Sequence, residues 1–278
     1  MSRVIDCHCH IYPDAICQRA VQGISGFYGL PLVYDGSIGT LRALGKAHGI
    51  DHFVVFSVAT TPHQTQSINS FIARSVQESR GAMTGLGTVH PESADIRSEV
   101  EAIRRLGLKG VKLHHDIQKI EADDIRCMRI YEQCEEKGLP VLLHAGDNRY
   151  DYSNPKRLEQ VLKRFPHLTV IGAHLGGWSV WEEAADRLPP YANFHVDCSS
   201  SLYALTPERA RSIIRAYGAE RVLFGTDYPM WPVGDELSRL RALGLSEQEI
   251  EAITHRNAQK LLGIAPAGAE AAGQAASS

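Results

Sequence analysis

No run of about 18 consecutive apolar residues occurs anywhere in the 278-residue chain, so no membrane-spanning helix is expected. The N-terminus leads straight into Val4-Ile5-Asp6, without the charged segment and apolar run of a secretory signal. Positive charge is not in excess either. The 29 Lys and Arg face 32 Asp and Glu, a formal net charge of −3, which offers no field to draw in nucleic acid or an anionic membrane. Six cysteines, Cys7, Cys9, Cys17, Cys127, Cys134 and Cys198, make neither a dense disulfide framework nor spaced CxxC zinc pairs. Free thiols in a reducing cytoplasm are the simpler expectation. A GxGxxG turn is also missing after the first strand, which removes the main sign of an open dinucleotide-binding sheet. What the chain does have is histidine, 13 in all, and where they fall matters more than how many there are.

Short β-rich runs alternate with longer helical patterns from end to end. Apolar and β-branched content with turn punctuation marks eight strands: 4–10, 52–57, 84–90, 110–114, 140–145, 169–174, 194–199 and 222–227. Amphipathic helices are expected over 94–106, 124–137, 155–165, 207–217 and 246–262. Asn154-Pro155 and Thr206-Pro207 carry helix-start chemistry, and Ser246 with Glu249 forms a capping box. Gly107 and Gly138 stand where left-handed C-caps are wanted. Alternation of this kind implies a parallel sheet, and eight repeats favour a closed, distorted (β/α)8 TIM barrel filling residues 1–263 as a single domain. Residues 11–36 read as a long irregular loop covering the active site after the first strand. Residues 264–278, rich in Ala, Gly and Ser, read as a disordered tail.

All strands of such a barrel end on one face, where chemistry gathers. His8 and His10, His90, His114, His144, His174 and Asp227 all fall at strand ends. Side chains alternate along a strand, so Asp6, His8 and His10 are expected on one side and Cys7 and Cys9 on the other, toward the helices. Two imidazoles two residues apart on one strand face can reach one metal ion.

These motifs resemble the amidohydrolase superfamily, in the branch that also holds the aminocarboxymuconate semialdehyde and γ-resorcylate decarboxylases. The residues that carry the likeness are Asp6-Cys7-His8-Cys9-His10, Gly110-Val111-Lys112-Leu113-His114, Leu142-Leu143-His144-Ala145-Gly146, Gly172-Ala173-His174-Leu175-Gly176-Gly177 and Phe224-Gly225-Thr226-Asp227-Tyr228-Pro229. The resemblance implies that His8, His10, His144 and Asp227 hold a divalent metal, with zinc first and manganese or iron as alternatives. Asp227 would also serve as general base or proton shuttle. His174 would either bind a second ion or exchange protons with substrate. Lys112 would bridge two ions if carboxylated; otherwise one ion suffices, and one is the default. Arg149, Trp178, Trp231, His90 and His114 are candidates for the substrate pocket.

The expected activity is that of a metal-dependent hydrolase, in which a metal-activated water attacks a small cyclic or anionic compound. The alternative is a non-oxidative decarboxylase (a carboxy-lyase) of an aromatic or unsaturated acid. More remote is a non-catalytic metal-binding barrel. A small-molecule substrate, no nucleic-acid or membrane partner, and a homodimer complete the expectations.

Overall fold

In the computed structural model, which describes residues 3–266, eight short strands appear in the expected order. They are β1 (Ile5–His10), β2 (His52–Phe56), β3 (Met83–Gly85), β4 (Val111–Leu113), β5 (Val141–Leu143), β6 (Val170–Gly172), β7 (Phe194–Asp197) and β8 (Val222–Leu223). All are parallel. The ladders run β1-β2-β3 and β4-β5-β6-β7-β8. The two arcs meet through single bridges, Gly87 with Val111 and Cys9 with Tyr228. Backbone bonds from Lys112 to the Gly87 carbonyl (2.7 Å) and from Cys7 to the Phe224 carbonyl (2.8 Å) complete the ring. The result is the expected (β/α)8 barrel. Its distortion lies at these two seams, where pairing thins to isolated bridges.

The barrel has two apolar layers. Val55, Val111, Val141, Leu143, Val170 and Val196 pack outward against helix faces bearing Ile103, Ile130, Val161 and Ile213. Each such buried side chain contributes about 1.5–3 kcal/mol. A smaller inner cluster joins Ile5, Val54, Phe56, Leu86, Leu142, Ile171 and Leu223, and takes in Ala258, Leu262 and Ile264 from the C-terminal helix and the residues after it. Ile264, the first residue of the expected tail, is buried. Residues 267–278 lie outside the described residues.

One bulge decides which way β1 points its chemistry. Ile5 pairs with His52 and Asp6 with Phe53, but Cys9 pairs with Val55 and His10 with Phe56. Between Asp6 and Cys9, β1 takes three steps while β2 takes two, so one residue is extra. The simple alternation predicted for this strand therefore fails. Cys7 joins the inner cluster with Ile5, and only Cys9 packs in the outer layer. Asp6 leaves the histidine face as well. Its carboxylate accepts from the Thr226 amide (3.0 Å) and hydroxyl (2.6 Å), and so ties β1 to the chain after β8.

The cover over residues 11–36 is not irregular. It contains a 12-residue helix, Cys17–Tyr28, ending on Gly29 in a left-handed cap. Ile16, Ala20, Ile24 and Phe27 recur at helical spacing, but Gly23 and Gly26 and the lack of a side-chain N-cap hide the helix from a sequence reading.

Past β5 the chain must approach the chain past β6 backbone to backbone. Gly146 has φ of 81°, and a Cβ there would lie 2.6 Å from the carbonyl carbon of Gly177. Gly146→Ala is expected to cost about 2 kcal/mol or more and to lower Tm by roughly 5 °C; an unchanged melting curve by calorimetry would refute this close approach.

Candidate metal centre

At the strand ends, the fold brings His8, His10, His144, His174 and Asp227 to one place. His8, His10 and Asp227 offer ligand atoms within 4.8 Å of one another. His8 Nε2 lies 3.4 Å and His10 Nε2 3.6 Å from Asp227 Oδ1. Both rings lean edge-on against Phe56, at 5.1 and 4.9 Å between centroids. His144 does not enter this three-residue cluster. Its Nδ1 faces His174 Nε2 at 3.1 Å instead.

The hydrogen-bond partners fix the tautomers. His8 Nδ1 has the Asp197 carboxylate at 2.9 Å and must donate to it, which leaves Nε2 with a bare lone pair. That Nε2 is buried and has no hydrogen-bond partner among the described residues. His144 Nε2 donates to the Gly146 carbonyl (3.2 Å), so its lone pair is on Nδ1. The Ser199 hydroxyl donates to Asp197, so His174 Nδ1 donates to the Ser199 carbonyl (3.1 Å) and Nε2 carries the lone pair. Two lone pairs thus face each other at 3.1 Å, with a third on His8 and a carboxylate nearby. Such a set of electron-pair donors without protons to receive suits a divalent cation.

The surroundings keep the imidazoles neutral. Burial pushes His8 and His10 well below the ordinary histidine range, reinforced by the nearby positive charge of Lys112. His174 drops to about 3, mainly through burial and then through His8. Burial raises the Asp227 carboxyl and lowers the Lys112 ammonium, while each opposes the other's shift. Lys112 Nζ is buried over the Phe56 ring, 5.2 Å from its centroid, without a hydrogen-bond partner among the described residues. Asp227 (φ 58°), His174 (φ 61°) and Ser200 (φ 47°) all occupy the left-handed region. Backbone strain of this kind, about 1–3 kcal/mol each, gathers at functional sites.

The remaining candidates divide. His114 lines the cavity, stacks on His144 at 4.0 Å and meets the Tyr28 hydroxyl at 2.8 Å. Trp231 acts one step removed, donating to Ser200 Oγ (2.7 Å), which in turn donates to Asp227 Oδ2. Trp178 packs edge-on against Tyr28 at 5.2 Å, outside the cavity wall. His90 Nδ1 accepts from the Glu92 amide (3.2 Å) and also lies outside that wall. Arg149 is not available to clamp a substrate. Its Nε and Nη2 grip Asp147 at 3.0 and 2.7 Å, and its Nη1 donates to the Phe27 carbonyl at 2.8 Å. It secures the covering helix.

Sequence reasoning missed Asp197, Tyr12 and Asp116. Asp197 closes β7 as Asp227 follows β8, so the strand-end rule already pointed to it. Tyr12 lines the cavity, and its hydroxyl makes no hydrogen bond among the described residues. Asp116 sits 3.8 Å from His144 Nε2 and follows a strand end by only three residues.

Unfolded, imidazoles bind protons near pH 6.5, whereas folded His174, and likewise His115, buried after β4 with the Tyr131 hydroxyl at 2.9 Å, resist protonation down to about pH 3. Between those values the unfolded chain binds more protons, so stability falls as pH drops. For chelator-treated protein the urea midpoint is expected to decline steadily from pH 7 to pH 4; a flat profile would contradict the burial of neutral histidines.

Comparison with known proteins bears on the family and the fold. The family model described as Amidohydrolase matches residues 5–264. A 2-amino-3-carboxymuconate-6-semialdehyde decarboxylase of Dictyostelium discoideum is 24% identical, with 72% of this chain and 67% of that protein covered. An uncharacterised TIM-barrel protein of Bordetella bronchiseptica superposes with a TM-score of 0.78 at 23% identity, covering 94% of this chain and 98% of that one. A dihydroxybenzoic acid decarboxylase of a Polaromonas species, solved with manganese and the inhibitor 2-nitroresorcinol, gives 0.73 at 17% identity, covering 96% and 98%. The two structural likenesses show the fold.

Proposed function

The chain belongs to the amidohydrolase family, and from that premise we propose that it is a metal-dependent non-oxidative decarboxylase of an aromatic or unsaturated acid. The observation that carries the reading is the buried, unpartnered Nε2 of His8 behind His10 and the Asp227 carboxylate, which themselves line a cavity of about 660 Å³, large enough for a ring. The decarboxylases among the proteins it resembles favour this activity over the hydrolysis first expected from the motifs.

His8, His10 and Asp227 would hold one divalent ion, with the His144 and His174 lone pairs completing the donor set. Imidazole and carboxylate donors accept zinc, manganese or iron; the manganese of the Polaromonas enzyme makes that ion as good a fit as zinc. When bound, the ion would stabilise negative charge on the substrate's carboxylate and on a neighbouring oxygen. In the reaction the bond from carbon to the carboxylate breaks, the electron pair stays on that carbon, and a proton takes the place of CO2. The chain must therefore hold a proton near the carbon. Asp227 Oδ2, the oxygen that faces Ser200 while Oδ1 faces His8 and His10, is placed to carry one. His114 and the Tyr28 hydroxyl offer polar contacts to the acid's other oxygens.

Metal-loaded protein is expected to release CO2 from some member of a panel of hydroxybenzoates and unsaturated dicarboxylates, and a chelator should abolish the release. Asp227→Asn should lower the rate by about 10²–10⁴. Incorporation of 18O from water into product, with no CO2 formed, would decide for a hydrolase. A separate measurement concerns Asp197, which fixes the His8 tautomer. Asp197→Asn is expected to weaken metal binding about 10–100-fold in a competition titration with a coloured chelator; unaltered affinity would remove His8 from the ligand set.

A further inference from the structure

The cavity around the histidines measures about 660 Å³. A single-ring acid of about ten non-hydrogen atoms, each given at most a water's share of about 30 Å³, fills no more than roughly half of it. The spare volume has a definite chemical character. On one side the helix Cys17–Tyr28 and its N-cap residue Ile16 present Ile16, Ala20, Ile24 and Phe27; on the other stand Ile68 and Phe71 from the helix Thr65–Glu78. Apart from the Tyr12 hydroxyl, the hydroxyls of the lining are mostly engaged. The Ser57 hydroxyl donates to the Ile11 carbonyl, Thr60 Oγ1 to Gln64 Oε1 (3.0 Å) and Ser67 Oγ to the Gln64 carbonyl (3.0 Å). Arg19, itself exposed, is the sole Lys or Arg on the wall among the described residues. A compact polyanion would find few partners here.

Gly23 sharpens the picture. It lies within the helix and lines the cavity, and a Cβ built there would meet no heavy atom within 4 Å. Glycine is among the poorest residues for a helix interior, and its helical neighbours on the same wall carry larger side chains. Gly23 is itself exposed, so the space over it is the open side of the cavity, left unfilled at a cost to the helix.

We propose that the cavity takes an acid bearing an extended apolar substituent, with the acidic group at His8, His10 and Asp227 and an alkyl or aryl arm laid along the helix over Gly23. The inference rests on the acid-decarboxylase reading above. Each buried methylene is worth roughly a fourfold gain in affinity, so a five-carbon arm should more than offset the cost of ordering it.

The test uses a probe that does not turn over: 2-nitroresorcinol, whose nitro group stands in for a carboxylate, against the same compound with a pentyl chain para to that group. Calorimetric titration of the manganese-loaded full chain is expected to show the pentyl compound binding at least tenfold tighter. Gly23→Leu, whose Cβ would meet no heavy atom within 4 Å, should erase that gain and leave the parent compound's Kd within twofold. Ile24→Trp should act in the same direction, and circular dichroism would verify that both variants are folded. A gain below tenfold, or one that survives in both folded variants, overturns the proposal. Equal binding of the two compounds would sink the apolar arm alone. If neither binds, the acid reading fails and this inference falls with it.

Discussion

His8 is fully buried, and the acceptor that meets its Nδ1 is the Asp197 carboxylate at 2.9 Å. That contact joins β1 to β7 across the barrel mouth, and much of the site follows from it. With its proton committed to Asp197, the His8 ring presents a bare Nε2 toward Asp227 and His10. Asp197 also accepts from the Ser199 hydroxyl and from the His174 amide (3.3 Å), so the same carboxylate helps to set the second ring's backbone. Ser199 then takes the His174 Nδ1 proton on its carbonyl, and His174 turns its own bare nitrogen toward His144. One acid thus orients imidazoles from two strands, β1 and β6, which explains why a residue that does not itself line the cavity matters to its chemistry.

Such an arrangement opposes stability. Asp6, Asp197, Asp227 and Lys112 are buried beside neutral histidines, and the Lys112 ammonium and His8 Nε2 have no partner among the described residues. Groups of this kind cost free energy when left unsatisfied, and the left-handed backbone at His174, Ser200 and Asp227 adds strain. The two apolar layers offset these costs through burial that has no role in chemistry. Local rules that fail together in one place, while holding elsewhere, mark a site selected for function.

What could be read from the sequence follows from what periodicity measures. The caps at Thr206 and Ser246 and the left-handed glycines at 107 and 138 appear where the pattern puts them, because each is a local signal. The eight strands appear in order but shorter than expected, with β3 ending at Gly85 rather than at His90. The convergence of His8, His10, His144, His174 and Asp227 was legible too, since strand ends share a face in any parallel barrel. The bulge in β1 was not. Alternation assumes one residue per step, and a single extra residue moved Cys7 to the inside. Arg149 was misjudged for a different reason. A guanidinium in a donor-rich loop looks free until its neighbours are known, and here Asp147 and the Phe27 carbonyl occupy it.

Arg149 also shows how the cover relates to the frame. Its guanidinium lies 5.0–5.5 Å from the ring centroids of Phe27, Tyr28, Tyr150 and Trp178, and so fastens the end of the covering helix to the loop after β5. The clasp delivers the Tyr28 hydroxyl to His114 on β4's far end, so a segment inserted after β1 contributes a polar group to the site. Chemistry on the strand ends and shape on the cover are then separable. Changes along Ile16–Phe27 can alter what the cavity admits without disturbing the bond from His8 to Asp197. A helix held at its C-terminal end by one guanidinium, with a glycine facing the cavity midway, can vary that wall while its anchored end keeps Tyr28 in place.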